Sequence, residues 1–246
     1  FIVMGKSYSA LGGLFEYLNS DCGYEEWSQY LIKTLQSVGA GESGLDIGCG
    51  NGYFTRALSR AGKSMVGIDI SPQMLGRAVQ LAAEEGVRAE FLLGDIAKLK
   101  INGRVDFAVS VNDCLNYVAP SKLHAAFAHV GSCLKKGGAF VFDISSEYKI
   151  RNVLGNNLFA EDLDDVTYLW FNRQTEDGVV MDITVFTPEG DLFRRSDERH
   201  VQYAHRTDDV LHALDESGFD VLRTEGHLGE PLGEKSLRIN FVCRRR

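Results

Sequence analysis

Leu45-Asp46-Ile47-Gly48-Cys49-Gly50-Asn51-Gly52-Tyr53 is the most informative segment of the chain. Its first three residues read as a short apolar strand, and glycines follow at every second position. Glycine has no Cβ to hold a ligand off the backbone, and it reaches left-handed dihedrals without strain. Placed between a strand and a helix, such a loop lies at the carboxyl end of a parallel strand. Open α/β sheets bind their ligands there.

Outward from the loop, Leu45–Ile47, Met65–Ile70, Ala89–Leu93, Val105–Val111 and Ala139–Ile144 read as strands. They are short and apolar nearly throughout, as strands buried on both faces of a parallel sheet should be. Helices fill the gaps. Ser71-Pro72 supplies an N-cap and a first-turn proline, and Gly86 ends that helix. Pro120 opens another, expected to run to Lys135-Lys136 with Gly137-Gly138 behind it. This alternation implies an α/β, doubly wound sheet with right-handed crossovers.

Upstream, Trp27, Tyr30, Leu31, Leu35 and Val38 recur at helical spacing and give one apolar stripe. Downstream, Val166–Phe171, Val179–Phe186 and Leu192–His200 alternate like antiparallel strands, with Asp177-Gly178 and Glu189-Gly190 as turns. They break the α/β rhythm and read as an inserted β-lid. A helix, Asp208–Ser217, and two strands, Val221–Gly226 and Leu237–Cys243, close the sheet.

Two details of the glycine loop separate its ligands. The dinucleotide fingerprint is G-x-G-x-x-G, and counted from Gly48 and Gly50 its third place falls on the bulky Tyr53. Here the third glycine comes one position earlier, at Gly52. Asp46, just before the loop, would repel a pyrophosphate and attract the ammonium of a methionine moiety. Both favour S-adenosylmethionine over NAD, and no hydride-transfer constellation is evident. Asp69 ends the next strand and can accept both ribose hydroxyls, although an acid there could also cap the following helix. Asp95, after the third strand, can accept from an adenine amino group while Ile96 covers the ring; a turn-stabilising aspartate is the alternative.

The D-x-G-x-G-x-G loop, Asp69, Asp95 and Leu134-Lys135-Lys136-Gly137-Gly138-Ala139-Phe140, in this order from Gly44 to Ile144, resemble the successive motifs of class I S-adenosylmethionine-dependent methyltransferases. The resemblance implies a seven-stranded, mostly parallel sheet. It implies that Asp46, Gly48, Cys49, Gly50 and Gly52 line the methionine end, and that Asp69, with Ile70 and Met74, holds the ribose. Asp95 and Ile96 would frame the adenine, with Asn112 and Trp27 as further walls. The whole chain, 1–246, then reads as one methyltransferase domain. Residues 1–42 are a helical cap, 43–145 the cofactor core, 165–203 the lid, and 204–246 the closing helix and strands. Tyr24–Trp27 and Asp113–Tyr117 are similar to a bacterial subgroup of this family.

The fourth strand should aim the segment Asn112-Asp113-Cys114-Leu115-Asn116-Tyr117 at the transferable methyl group. It lacks the (N/D)-P-P-(Y/F) signature of amino-methylating DNA enzymes, and no Pro-Cys nucleophile is present. Cys114 reads as a packing thiol. A sulfonium is already activated, so positioning, desolvation and at most a base are needed. Asn116, Tyr117 and His200 are the expected catalytic residues, with Asp113 and His205 as further candidates. Tyr8, Tyr17, Trp27 and Tyr30 could fold over the cofactor, though aromatics at helical spacing also build cores.

Composition narrows the acceptor. A net charge of −8 with no basic face argues against a nucleic-acid partner. No apolar run nears the roughly 20 residues of a membrane span, and the apolar start Phe1–Met4 is too short for a signal peptide, so a cytoplasmic protein is expected. Five scattered cysteines without a CxxC pair read as reduced thiols, with no metal expected. The expectation is methyl transfer to the N or O nucleophile of a small molecule enclosed by the lid. A non-catalytic S-adenosylmethionine-binding regulator is the alternative, and the lid's aromatics leave a homodimer interface open.

Overall fold

A computed structural model describes residues 23–163 and 166–246; Tyr8, Tyr17 and Cys22 lie outside the described residues. Helix α1, Tyr24–Ser37, precedes strand β1, Ser43–Ile47. Then follow α2 (Tyr53–Arg60), β2 (Ser64–Asp69), α3 (Pro72–Glu84), β3 (Glu90–Leu93), β4 (Val105–Ser110), α4 (Leu123–Cys133) and β5 (Leu134–Ser145). Four lid strands come next: β6 (Leu158–Leu163), β7 (Val166–Gln174), β8 (Gly178–Glu189) and β9 (Leu192–Tyr203). Helix α5 (Thr207–Glu216) and strands β10 (Phe219–Glu225) and β11 (Arg238–Arg245) end the chain.

Seven strands form one sheet in the order β10-β11-β5-β4-β1-β2-β3. The pairs β1–β2, β2–β3, β1–β4 and β4–β5 are parallel, and β11 runs antiparallel between β5 and β10. The order reverses between β1 and β4, so their carboxyl ends open onto a crevice. This is the seven-stranded α/β sheet that the motifs implied, with the antiparallel lid as a second sheet.

Side-chain alternation splits the core into two layers. Phe140, Phe142 and Phe241 pack with Phe127 of α4 and Phe219 on one face. Ala139, Val141 and Val109 pack with Trp27, Leu31 and Leu35 of α1 and Phe54 of α2 on the other. The central strands are buried on both sides, which is why they carried no polar alternation in sequence.

Two local expectations change. Lys135-Lys136 do not close a helix: α4 stops at Cys133 and the chain is already extended at Leu134. Lys135 Nζ instead pairs with Asp106 Oδ1 at 2.6 Å. Asp106 also accepts from Ser43 N and Oγ, at 3.0 and 2.7 Å, so this carboxylate ties the entry of β1 to β4 and β5. The lid starts earlier than its alternation indicated, because β6 pairs with β7 over Leu158–Leu163. Its exposed Glu161 and Asp162 hid it, since an edge strand with one wet face lacks an apolar run.

Candidate active site

Gly48, Gly50 and Gly52 all adopt left-handed dihedrals, with φ of 75°, 54° and 75°. The N–H groups of Gly48 and Cys49 both donate to the Ile68 carbonyl, at 2.7 and 3.0 Å, which fastens the loop to β2. A Cβ on Gly48 would run into the Cys114 sulfur, and one on Gly52 would stand 2.7 Å from the Phe91 ring. The glycines therefore let the loop approach both Phe91 of β3 and Cys114 in the segment after β4.

Asp46 lies beneath this loop. Its carboxylate is buried and accepts from Thr55 Oγ1 at 2.6 Å, holding the first turn of α2. Burial pushes its pKa up to about 6 against the lowering effect of the Thr55 hydrogen bonds. Cys49 is also buried, and burial raises its thiol well above the ordinary range.

Asp69 sits at the loop's outer side and is only partly buried. Oδ2 accepts from Gly50 N at 2.8 Å and Oδ1 from Ser71 N at 2.9 Å. Each carboxylate oxygen accepts more than one bond, so acceptor capacity remains for a ligand hydroxyl. Burial is the main cause of its raised pKa. Ser71 caps α3 by accepting from Met74 N at 3.3 Å, and the Met74 side chain is buried below. Beside Asp69, Ile70 is 41% exposed, and at the end of β3 Leu93 is 64% exposed. These open apolar groups at the ends of β2 and β3 form a ledge suited to a flat ring. Asp95 caps the short turn Ile96–Lys98 by accepting from Ala97 N at 2.8 Å, and Ile96 packs partly against the core.

Beyond β4, Asn112 and Asp113 are both left-handed, with φ of 64° and 54°. That is uncommon for non-glycine residues, and strain of this kind concentrates at functional sites. An ionic cluster holds the turn. Asp113 N donates to Asp143 Oδ2 at 3.1 Å, Gln202 Nε2 donates to Asp113 Oδ2 at 2.5 Å, and Arg238 Nη2 reaches Asp113 Oδ1 at 3.2 Å. Arg238 also pairs with the fully buried Asp143, and its guanidinium lies 5.5 Å from the centre of the Trp27 ring.

Trp27, only 1% exposed, packs edge-on against Tyr30, Phe54 and His227. It is thus a core residue, as helical spacing also allowed. Asn116 is fully buried: Nδ2 donates to the carbonyls of Ser145 and Tyr203 at 3.0 and 2.9 Å, and Oδ1 accepts from Ser145 N at 2.8 Å. With both amide hydrogens engaged, it splices the β4 loop to β5 and to the lid. His205 Nε2 faces the Leu115 carbonyl at 3.1 Å, and burial lowers its pKa.

Tyr117 and His200 do meet. Tyr117 Oη lies 3.1 Å from His200 Nδ1, and His200 Nε2 lies 3.1 Å from Glu198 Oε2. Glu198 and His200 are buried, whereas Tyr117 is half-buried.

Known proteins share this architecture. A family model described as a methyltransferase domain matches residues 45–138. A protein of Geobacillus sp. (strain WCH70), named as a proposed methyltransferase, is 27% identical over 97% of this chain and 100% of its own. A Bacillus subtilis (strain 168) protein with the same kind of name is 29% identical over 88% of this chain and 87% of its own. The crystal structure of an S-adenosylmethionine-dependent methyltransferase from Clostridium acetobutylicum superposes with a TM-score of 0.90, at 29% identity, covering 97% of this chain and 98% of that one. The chain belongs to the class I S-adenosylmethionine-dependent methyltransferases.

S-adenosylmethionine is the cofactor of this family, and the methyltransferase's own residues fit it. The glycine cradle has no side chains where the sulfonium end would lie, Asp69 keeps acceptor capacity, and the Ile70–Leu93 ledge is open and apolar. Among the described residues no cluster of His, Cys, Asp or Glu could hold a metal ion, and no helix is long and apolar enough to cross a membrane.

The methyltransferase also uses residues that sequence reasoning missed. Asp143 interrupts an apolar strand, and a charge inside a buried run signals a paired group. Glu198 and Gln202 flank the expected His200 at every second position of β9, all three buried, so one face of the strand is polar and inward. Arg238 carried no comparable signal.

Proposed function

We propose that this methyltransferase moves the methyl group of S-adenosylmethionine onto an N or O nucleophile of a small molecule held between the carboxyl edge of the main sheet and the inner face of the lid. The observation that carries this reading is the joint at Asn116, which ties the loop after β4 to the ends of β5 and of the lid strand β9 at once. A lid rooted there encloses a small acceptor and excludes water, whereas a polymer needs an open groove. Desolvation favours the reaction, because the sulfonium loses its charge as the methyl group leaves.

In this reading the backbone of Gly48, Gly50 and Gly52 receives the methionine end. Asp69 binds the ribose hydroxyls, Ile70 and Ile96 flank the adenine, and Asp95 accepts from its amino group. Asp46, Cys49 and Met74 act from below by fixing the loop, and Asn112 forms the wall toward the acceptor. Trp27 supports that wall through Arg238. Of the expected catalytic residues, Tyr117 and His200 stand at the acceptor side, and Asn116 holds them there.

The test is transfer of labelled methyl from S-adenosylmethionine with three acceptor fractions: metabolites below about 1 kDa, total RNA and total protein. Label in the small-molecule fraction alone is the expected outcome. Label in RNA or protein alone would overturn the acceptor class.

A further inference from the structure

Lid strand β9 presents Glu198, His200 and Gln202 on one face. Register fixes their neighbours, since directly paired residues of an antiparallel sheet share a face. His200 pairs with Met181, which pairs with Asn172; Glu198 pairs with Ile183, which pairs with Trp170. Within these two rows only Glu198 and His200 have ionisable side chains. Across the interface the β4 loop supplies Tyr117, whose ring packs edge-on to the His200 ring at 5.9 Å. Asp113, the nearby acid of that loop, is engaged by Gln202 and Arg238.

Three groups thus line up: a buried carboxylate, a buried imidazole and a half-buried phenol, joined by two contacts of 3.1 Å. A carboxylate accepts only from a protonated ring nitrogen, so Glu198 selects the tautomer with hydrogen on Nε2. Nδ1 then carries no hydrogen and can accept from the Tyr117 hydroxyl.

We infer that Glu198, His200 and Tyr117 form a proton relay for a hydroxyl-bearing acceptor. The inference rests on the small-molecule methyl transfer proposed above. The acceptor oxygen attacks the methyl carbon as the carbon–sulfur bond breaks, and its electron pair stays on sulfur, leaving neutral S-adenosylhomocysteine. The acceptor's proton passes to Tyr117 Oη, and the Tyr117 proton passes to His200 Nδ1. The resulting imidazolium is held by Glu198 until the proton returns to water. Tyr117 is the catalytic residue, because it touches the acceptor; His200 and Glu198 are positioning residues acting through it. The arrangement points to oxygen because a neutral amine already offers a lone pair. A hydroxyl is a poor nucleophile until its proton has a destination.

The first test needs no acceptor. The full chain is labelled with nitrogen-15, saturated with S-adenosylhomocysteine, and its imidazole nitrogens are recorded, with His200→Gln giving the assignment. The relay requires His200 to be protonated at Nε2 and bare at Nδ1, and this preference to weaken in Glu198→Gln. A hydrogen fixed on Nδ1, or the same spectrum in Glu198→Gln, overturns it. Binding of S-adenosylhomocysteine in the same sample separates failure of the relay from failure of the methyltransferase reading.

The second test uses catechol and phenol against benzylamine and aniline as acceptor probes. Turnover with the hydroxyl probes is expected to fall at least ten-fold in both Tyr117→Phe and Glu198→Gln, with KM for S-adenosylmethionine unchanged. Turnover with the amines alone, or full activity in Glu198→Gln, contradicts the inference.

Discussion

Asp69 Oδ2 accepts a 2.8 Å hydrogen bond from the Gly50 amide, so the carboxylate that ends β2 also holds the glycine loop that follows β1. The proposed ribose ligand and the proposed methionine cradle are therefore one mechanical unit. A change at either end should be felt at the other.

Gly48→Ala tests the packing of that unit. The new methyl group meets the Cys114 sulfur, and φ of 75° is itself unfavourable for alanine. Together these should cost about 1–3 kcal/mol of stability. The double variant Gly48→Ala/Cys114→Ala removes the collision and should recover part of the loss. Urea unfolding of both measures it, and equal loss in the two variants would show that Cys114 is not the obstacle.

Asn116 separates a structural from a chemical role. Asn116→Ala strands the Ser145 amide and two carbonyls in a buried joint, which should destabilise the fold by roughly 2–4 kcal/mol. Chemical denaturation is the readout. A variant as stable as the parent but inactive would instead support the catalytic role expected of Asn116 from the sequence.

Asp46 predicts a pH signature. Its folded pKa of about 6 lies above the ordinary aspartate value, so the folded state holds its proton more tightly than the unfolded chain. Its contribution is fully present below about pH 4 and is lost as pH rises through about 6, a span of roughly 3 kcal/mol. Asp46→Asn cannot titrate and should lack this slope. Melting temperatures of both proteins from pH 4 to 8 decide it, and parallel curves would contradict the buried-acid account.

Much of the sheet was legible because buried parallel strands are short, apolar and punctuated by glycine. The junction at Lys135 was not, since two lysines before glycine are as good a helix end as they are an edge of β5. The lid strand β6 carried too little apolar alternation to be recognised. At the proposed site, the glycines, Asp69 and Asp95 stand out because their order along the chain is itself a pattern. Asp143 is legible as a charge inside an apolar run, but its partner Arg238 is not, because the two meet only when β5 and β11 pair across almost a hundred residues. The meeting of Tyr117 with His200 has the same origin. Each was visible as a polar residue, and only the lid brings them together.

Isothermal titration of the full chain with S-adenosylhomocysteine reads cofactor binding at this edge of the sheet without any methyl acceptor. Binding in the micromolar range is expected, weakened about ten-fold or more in Asp69→Ala, where buried ribose hydroxyls would be left without their acceptor. A folded protein that shows no heat of binding, or an Asp69→Ala variant that binds as tightly as the parent, would contradict the assignment of this edge of the sheet as the cofactor site.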